Sequence, residues 1–293
     1  MKTATASAFP EPAEHDDTEN GYYGYRTIIE YDENGRATFS YRDLTLDDFL
    51  EPEEGDVYMQ GSLHTDDVIR LRSIFKYHLR NRGNMTVYCD MKIIWGIEEL
   101  ENPAPDISVI ADVKDPDKPR GSFYVPEEGV KPFFILEVVS PRYRKADIDK
   151  KPPIYRKAGV SEYIIADPGL KNNEISYTVK GYRLISNRYV KIKPDTRGRI
   201  NSVTAGVQVG VSKSGDRLII YDAKTGEEIL SDDERAERAE KEKARAEKEK
   251  VRAEQEKNQA EIQAQHEKVR ADNAEEEIRR LKAMLRDKGI QAD

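Results

Sequence analysis

Three side chains stand out by type and setting: Asp106, Glu137 and Lys151. Asp106 follows Pro103-Ala104-Pro105 and opens a β-branched stretch, Ile107 to Val113. Glu137 lies inside PFFILEVV, residues 132–139, which is otherwise wholly apolar. Lys151 precedes Pro152-Pro153 at the start of a short helical segment. A carboxylate in so apolar a strand is costly to bury unless it is paired or binds a metal. Glu137 therefore points either to an ion pair, with Arg142, Arg144 or Lys151, or to a metal ion. Asp and Glu on neighbouring strands could place oxygens around one Mg²⁺, which takes only one or two protein carboxylates and keeps several waters. Such an ion would activate a water and neutralise a leaving oxygen, and a nearby lysine would orient or deprotonate that water. This is the chemistry of phosphodiester hydrolysis. Each residue also has a plainer reading: Asp106 as a cap or turn residue, Lys151 as a surface lysine, Tyr155 and Tyr163 as core, and His64 as a polar helix start. With four His and one Cys, a zinc site is not expected.

The elements that would position these residues follow from periodicity. TIIEYDENGRATFSY predicts a hairpin turning at Asn34-Gly35, and Leu44–Leu50 a small helical segment. Val68, Leu71, Ile74, Phe75 and Leu79 recur at helical spacing, giving an amphipathic helix over Thr65–Arg82 with Thr65 as N-cap and Gly83 as its stop. Strands are expected at Thr86–Ile94, Ile107–Val113, Pro132–Val139 and Tyr163–Ala166. Of these, 132–139 is central and covered on both faces. A short helix, Ile154–Ala158, starts behind Pro152-Pro153 and ends at Gly159. Pro152 biases Lys151 toward extended backbone angles. From Glu174 to Tyr221 an antiparallel extension is expected, with EISYTVKGYRLIS as one hairpin. Residues 1–22, acidic and Pro-containing, read as a disordered leader, and 23–230 as one domain.

After Ser231 the composition changes to Ala, Glu, Lys, Arg and Gln, predicting one long helix over 231–289. Ala239, Ala246, Ala253 and Ala260 fall seven apart, and Ala271, Ala274, Ile278, Leu281 and Leu285 alternate by three and four. This is a heptad seam, soft in its first half where Lys243, Lys250 and Lys257 share it, and it predicts a homo-oligomeric coiled coil. A solvated helix packing on nothing is the alternative.

The formal charge of −8 taken alone argues against nucleic acid, but it is unevenly placed. Residues 1–60 hold 4 basic and 15 acidic groups, and 61–230 carry a net of +5. Residues 131–160 hold eight Lys/Arg against three acids, a pattern that suits a phosphate backbone. One cysteine, Cys89, allows no internal disulfide and suits a reducing, cytoplasmic setting. No apolar run long enough for a membrane span, and no secretory h-region, is present.

Taken in order, the motifs resemble the Uma-two family of restriction-endonuclease-like proteins, formerly a domain of unknown function, within the PD-(D/E)XK nuclease superfamily. The matching stretches are Pro105-Asp106-Ile107-Ser108-Val109 and Phe134-Ile135-Leu136-Glu137-Val138-Val139-Ser140-Pro141. They are followed by Asp147, Lys151, Tyr155, Ala158-Gly159-Val160, Glu162-Tyr163 and Asp167-Pro168. The resemblance implies an α+β fold with a mixed central sheet flanked by helices. It also implies Asp106 and Glu137 as ligands of Mg²⁺ or Mn²⁺, Lys151 positioning the attacking water, and DNA as substrate. The superfamily lysine normally lies two residues after the acid; here that position is Val139, and Lys151, or the adjacent Lys150, takes the place, with Asp147 in support. The competing expectations are a catalytically silent module of the same fold that binds nucleic acid or protein, and a structural protein acting through its helical tail.

Overall fold

A computed structural model describes residues 24–58, 61–140, 143–171 and 174–287, so the expected leader over 1–22 and the helix stop at Gly289 lie outside the described residues. The chain divides into two compact units, Met1–Asp232 and Asp233–Asp293.

The first unit opens with the hairpin β1 (Gly24–Tyr31) and β2 (Ala37–Asp43). Asp32 Oδ1 accepts from the amides of Asn34 and Arg36, both at 2.8 Å, and Gly35 takes φ +74°, the left-handed angle such a turn needs. Helix α1 (Leu46–Leu50) starts in a capping box between Thr45 and Asp48, and β3 (Asp56–Tyr58) adds to the free side of β1.

Helix α2 spans Ser62–Leu79. It begins three residues before the expected Thr65, with Gly61 as N-cap; Thr65 sits in the first turn, its hydroxyl donating to the Gly61 carbonyl at 3.4 Å. The apolar spacing missed this start because the buried face begins with polar side chains, His64 and Asp67.

The expected strand 86–94 is two strands in different sheets. β4 (Met85–Tyr88) and β5 (Lys92–Ile94) are separated at Asp90, which takes φ +48°. β6 (Ile107–Ala111) follows, then β7 (Ser122–Tyr124), which pairs with β5, and the short α3 (Val125–Glu128). β8 (Pro132–Val138) leads through a π-helical turn at Ala146–Lys150 into α4 (Lys151–Ala158). β9 (Glu162–Lys171), β10 (Glu174–Ile185) and β11 (Arg188–Lys191) complete a six-stranded sheet of order β11-β10-β9-β8-β6-β4. Only β8 and β9 run parallel within it, so the sheet is mixed.

The segment expected to be a hairpin at 174–186 is the single strand β10. Gly181 does not mark a turn; a Cβ there would collide with Ile200, so the glycine permits close packing of β10 instead. A three-stranded antiparallel sheet closes the unit: β12 (Ile200–Ser202), β13 (Val207–Val211) and β14 (Leu218–Asp222).

Alternation along β8 explains its apolar run. Phe134, Leu136 and Val138 pack against Leu71 and Phe75 of α2, while Ile135 and Val139 join Ile154 and Tyr155 of α4. Glu137 shares the parity of Ile135 and so lies on the α4 face.

The second unit is the helix α5 (Asp232–Asp287). The described side chains from Ala236 onward are all exposed. Intrahelical pairs four apart, such as Arg245–Glu249 at 3.1 Å and Arg252–Glu256 at 2.9 Å, run along it. Among the described residues, no helix is long and apolar enough to cross a membrane.

Candidate active site

The register of β6 against β8 pairs Ile107 with Leu136 and Ser108 with Ile135. Extended by one residue it sets Asp106 opposite Glu137, with both side chains on the α4 face. Two bonds tie Asp106 to β8: its amide donates to Glu137 Oε2 at 3.3 Å, and the Val138 amide donates to Asp106 Oδ2 at 2.7 Å.

Lys151 reaches the same place from the other layer. Its Nζ lies 3.0 Å from Glu137 Oε1 and 2.7 Å from Asp147 Oδ1. One turn on, Tyr155 donates its hydroxyl to Glu137 Oε1 at 2.7 Å. Tyr163 donates to the Asp147 carbonyl at 2.9 Å, anchoring the π-helical turn. The extended backbone expected for Lys151 is not observed: its φ of −65° and ψ of −35° are helical. Pro152 and Pro153 fall in the first turn of α4, where no amide donor is required, and the two ion pairs outweigh the pre-proline bias. Lys150 is exposed and stays outside the cluster.

Two further residues border the pair. His64, at the start of α2, places Nε2 at 3.2 Å from Asp106 Oδ2. Asp90 and Asp106 both line a cleft of about 630 Å³ whose other walls include Phe49, Glu53, Asp56 and Lys92. Glu137 and Lys151, 0 % and 2 % exposed, sit behind this wall. The Phe49 ring lies 4.9 Å from Lys151 Nζ and stacks on Tyr143 at 4.1 Å. Tyr155 and Tyr163 are both core and partners of the cluster. The sequence carried a signal for the Asp147–Lys151–Tyr155 row, whose spacing of four puts all three on one helical stripe. For His64, 42 positions from its partner, it carried none.

Negative charge is in surplus here. Burial raises the Glu137 carboxyl well above its ordinary value; Lys151 opposes this, while Asp106 and Asp147 add to it. Asp147 is raised, again chiefly by burial and against the pull of Lys151. Burial and then Asp106 push Asp90 up to about 6. Asp106 alone goes down, because its hydrogen bond to His64 and the charges of His64 and Lys151 overcome its burial. Burial also disfavours the Lys151 ammonium, but Asp147, Glu137 and Asp106 outweigh it and hold the lysine protonated. The contrast with Glu162 is instructive. It is equally buried, yet Arg183, Ser202 and Thr204 donate to it from side chains, and Val203 and Thr204 from backbone amides. Its pKa is lowered, since those donors outweigh its burial. Glu162 is a satisfied structural carboxylate; Glu137 belongs to a group short of positive charge.

That deficit is what a divalent cation relieves, and the donor set fits one. It offers hard carboxylate oxygens suited to Mg²⁺ or Mn²⁺. Among the described residues no three His, Cys, Asp or Glu side chains converge as a ligand set.

Comparison with known proteins places the chain in a family. The model of the Uma2 family, described as "Putative restriction endonuclease", matches residues 47–216. The chain belongs to the Uma2 family. The matched segment runs from α1 to the loop before β14 and contains Asp106, Glu137 and Lys151. Among curated proteins, none matches. One crystal structure, of a "putative nuclease belonging to DUF820" from Anabaena variabilis ATCC 29413, is 16 % identical and aligns over 55 % of this chain and 90 % of its own, with a TM-score of 0.38. A likeness that low adds nothing to the fold read from the sheet itself.

Proposed function

We propose that this Uma2 member is a divalent-metal-dependent DNA endonuclease, with Asp106 and Glu137 as metal ligands and Lys151 as the catalytic cation. The observation that carries the reading is the contact between the two acids, the Asp106 amide 3.3 Å from Glu137 Oε2, with the Lys151 ammonium 3.0 Å from Glu137 Oε1. Mg²⁺ or Mn²⁺ bound there would lower the pKa of a water and neutralise charge at the scissile phosphate. The chain's own residues prepare that site. Tyr155 and Lys151 both engage Glu137 Oε1, fixing its carboxylate while Oε2 meets only the Asp106 amide among the described residues. Asp147 steadies Lys151. The Lys151 ammonium would serve as a charge that orients the attacking water or stabilises the phosphorane.

The 23–230 segment is proposed as the nuclease domain and α5 as a homo-oligomerising helix, in a cytoplasmic protein. A second reading, a module that binds nucleic acid or protein without cutting, is favoured by one observation: Glu137 and Lys151 lie behind the cleft wall, not in it. Incubation with plasmid or single-stranded DNA, with and without Mg²⁺ or Mn²⁺, decides between them. The nuclease reading expects cleavage that needs the metal and is lost in Glu137→Ala. Equal cleavage by that variant defeats the site assignment, and a salt-dependent gel shift without cleavage selects the binding module.

A further inference from the structure

His64 borders Asp106 as a buried polar side chain with one ring nitrogen left unpaired. The ring is 7 % exposed. Its Nδ1 is buried and meets no hydrogen-bond partner among the described residues. A buried polar atom without a partner is a cost that an apolar side chain would avoid. The compensating contact is Nε2, 3.2 Å from Asp106 Oδ2. A carboxylate oxygen only accepts, so Nε2 is the donor. The Val138 amide donates to the same oxygen at 2.7 Å. Neither donor touches Oδ1, and Asp106 itself forms part of the cleft wall.

We infer that His64 is a positioning residue. It and the Val138 amide clamp Oδ2 of Asp106 from two directions, from α2 and from β8, so that the carboxylate cannot swing and Oδ1 is presented to a cation in the cleft. A single backbone amide would leave the carboxyl free to rotate about its last bond; two donors from different elements fix it. The partner is a divalent cation, and the inference rests on the metal reading proposed above. Groups that orient a metal ligand without touching the metal typically contribute about 10–100-fold to metal affinity.

The test is Mn²⁺ binding by the full chain, read from the electron paramagnetic resonance signal of free Mn²⁺, with a thermal melt of each protein. Glu137→Ala serves as the control lacking one proposed ligand. His64→Gln carries an amide nitrogen at the reach of Nε2, whereas His64→Asn carries it at the reach of Nδ1. The expected result is wild-type binding, with His64→Gln within a few-fold of it and His64→Asn and His64→Ala weaker by about 10–100-fold at near-unchanged melting temperature. Should His64→Ala not fold, the Gln and Asn pair decides alone. Asn binding as tightly as Gln, with both equal to wild type, overturns the positioning role and leaves the metal site standing. Wild type binding no better than Glu137→Ala overturns the metal reading and this inference with it.

Discussion

Replacing Lys151 by Met removes the one ammonium from a cluster in which Glu137 is 0 % and Asp147 3 % exposed. Methionine keeps the length and apolar stem of the side chain, so the loss is electrostatic and not a cavity. Breaking a buried ion pair by deleting one partner costs about 3–5 kcal/mol, because the remaining charge has nothing to offset its desolvation. For a domain of this size each kcal/mol lowers the melting temperature by about 2–4 °C, so a drop of roughly 6–20 °C is expected. The deficit should depend on pH. Without Lys151, burial holds the folded-state pKa values of Glu137 and Asp147 above those of the unfolded chain, about 4.3 and 3.9. The folded variant then binds more protons than the unfolded one, and its stability falls as pH rises above that range. Lys151→Met should therefore lie closer to wild type at pH 5 than at pH 8. Adding Glu137→Gln removes the stranded carboxylate and should recover about 1–3 kcal/mol, the coupling expected of contacting residues. Urea unfolding of the four proteins of this cycle at both pH values measures every quantity. A Lys151→Met deficit below about 1 kcal/mol and unchanged between pH 5 and 8 would refute the buried triad.

Other outcomes follow from separate parts of the molecule. Glu137→Gln is nearly isosteric and keeps a group that can accept from Tyr155, so it should abolish metal-dependent plasmid cleavage while remaining folded by circular dichroism. Glu162→Ala strands the Ser202, Thr204 and Arg183 donors and should cost about 2–5 kcal/mol in urea unfolding. Since the folded pKa of Glu162 is lowered, its contribution is full above about 4.3 and is lost as pH falls below that value. Burial, with the charge of Arg82, lowers the His78 pKa against the pull of Asp222. Stability is therefore full above the unfolded value of about 6.5 and declines below it, a decline that His78→Gln should flatten in titrations from pH 7.5 to 5.5. Removing residues 233–293 should leave the melting transition and cleavage unchanged and reduce the mass measured by light scattering; an unchanged association state excludes assembly through α5.

How far the sequence foretold this arrangement depended on the range of each interaction. β8 was readable because a strand covered on both faces needs apolar residues at both parities, and Glu137 stood out against them. The β1–β2 turn was readable because Asp32, Asn34 and Gly35 satisfy it locally. The errors arose where a local signal had a non-local cause. Gly181 imitates a turn but answers to Ile200, which approaches β10 from another sheet. The start of α2 was hidden because His64 and Asp67 are buried against partners far along the chain, Asp106 and Tyr177. Asp90 breaks what looked like one strand, and no local composition marks it. Lys151 was misjudged through its neighbour: the pre-proline preference is a weak backbone term, and two ion pairs in a dry site exceed it. Asp106 and Glu137 could be singled out as chemically suited residues, but their facing register depends on the pairing of β6 with β8, which no spacing within either strand encodes.

On the proposed reading, Asp106 and Glu137 together hold a divalent cation. Anomalous scattering from crystals grown with Mn²⁺ tests it directly. A peak is expected about 2.0–2.3 Å from a carboxylate oxygen of each residue, with the remaining positions filled by water. No peak at saturating Mn²⁺, or a peak whose ligands exclude both Asp106 and Glu137, would contradict it.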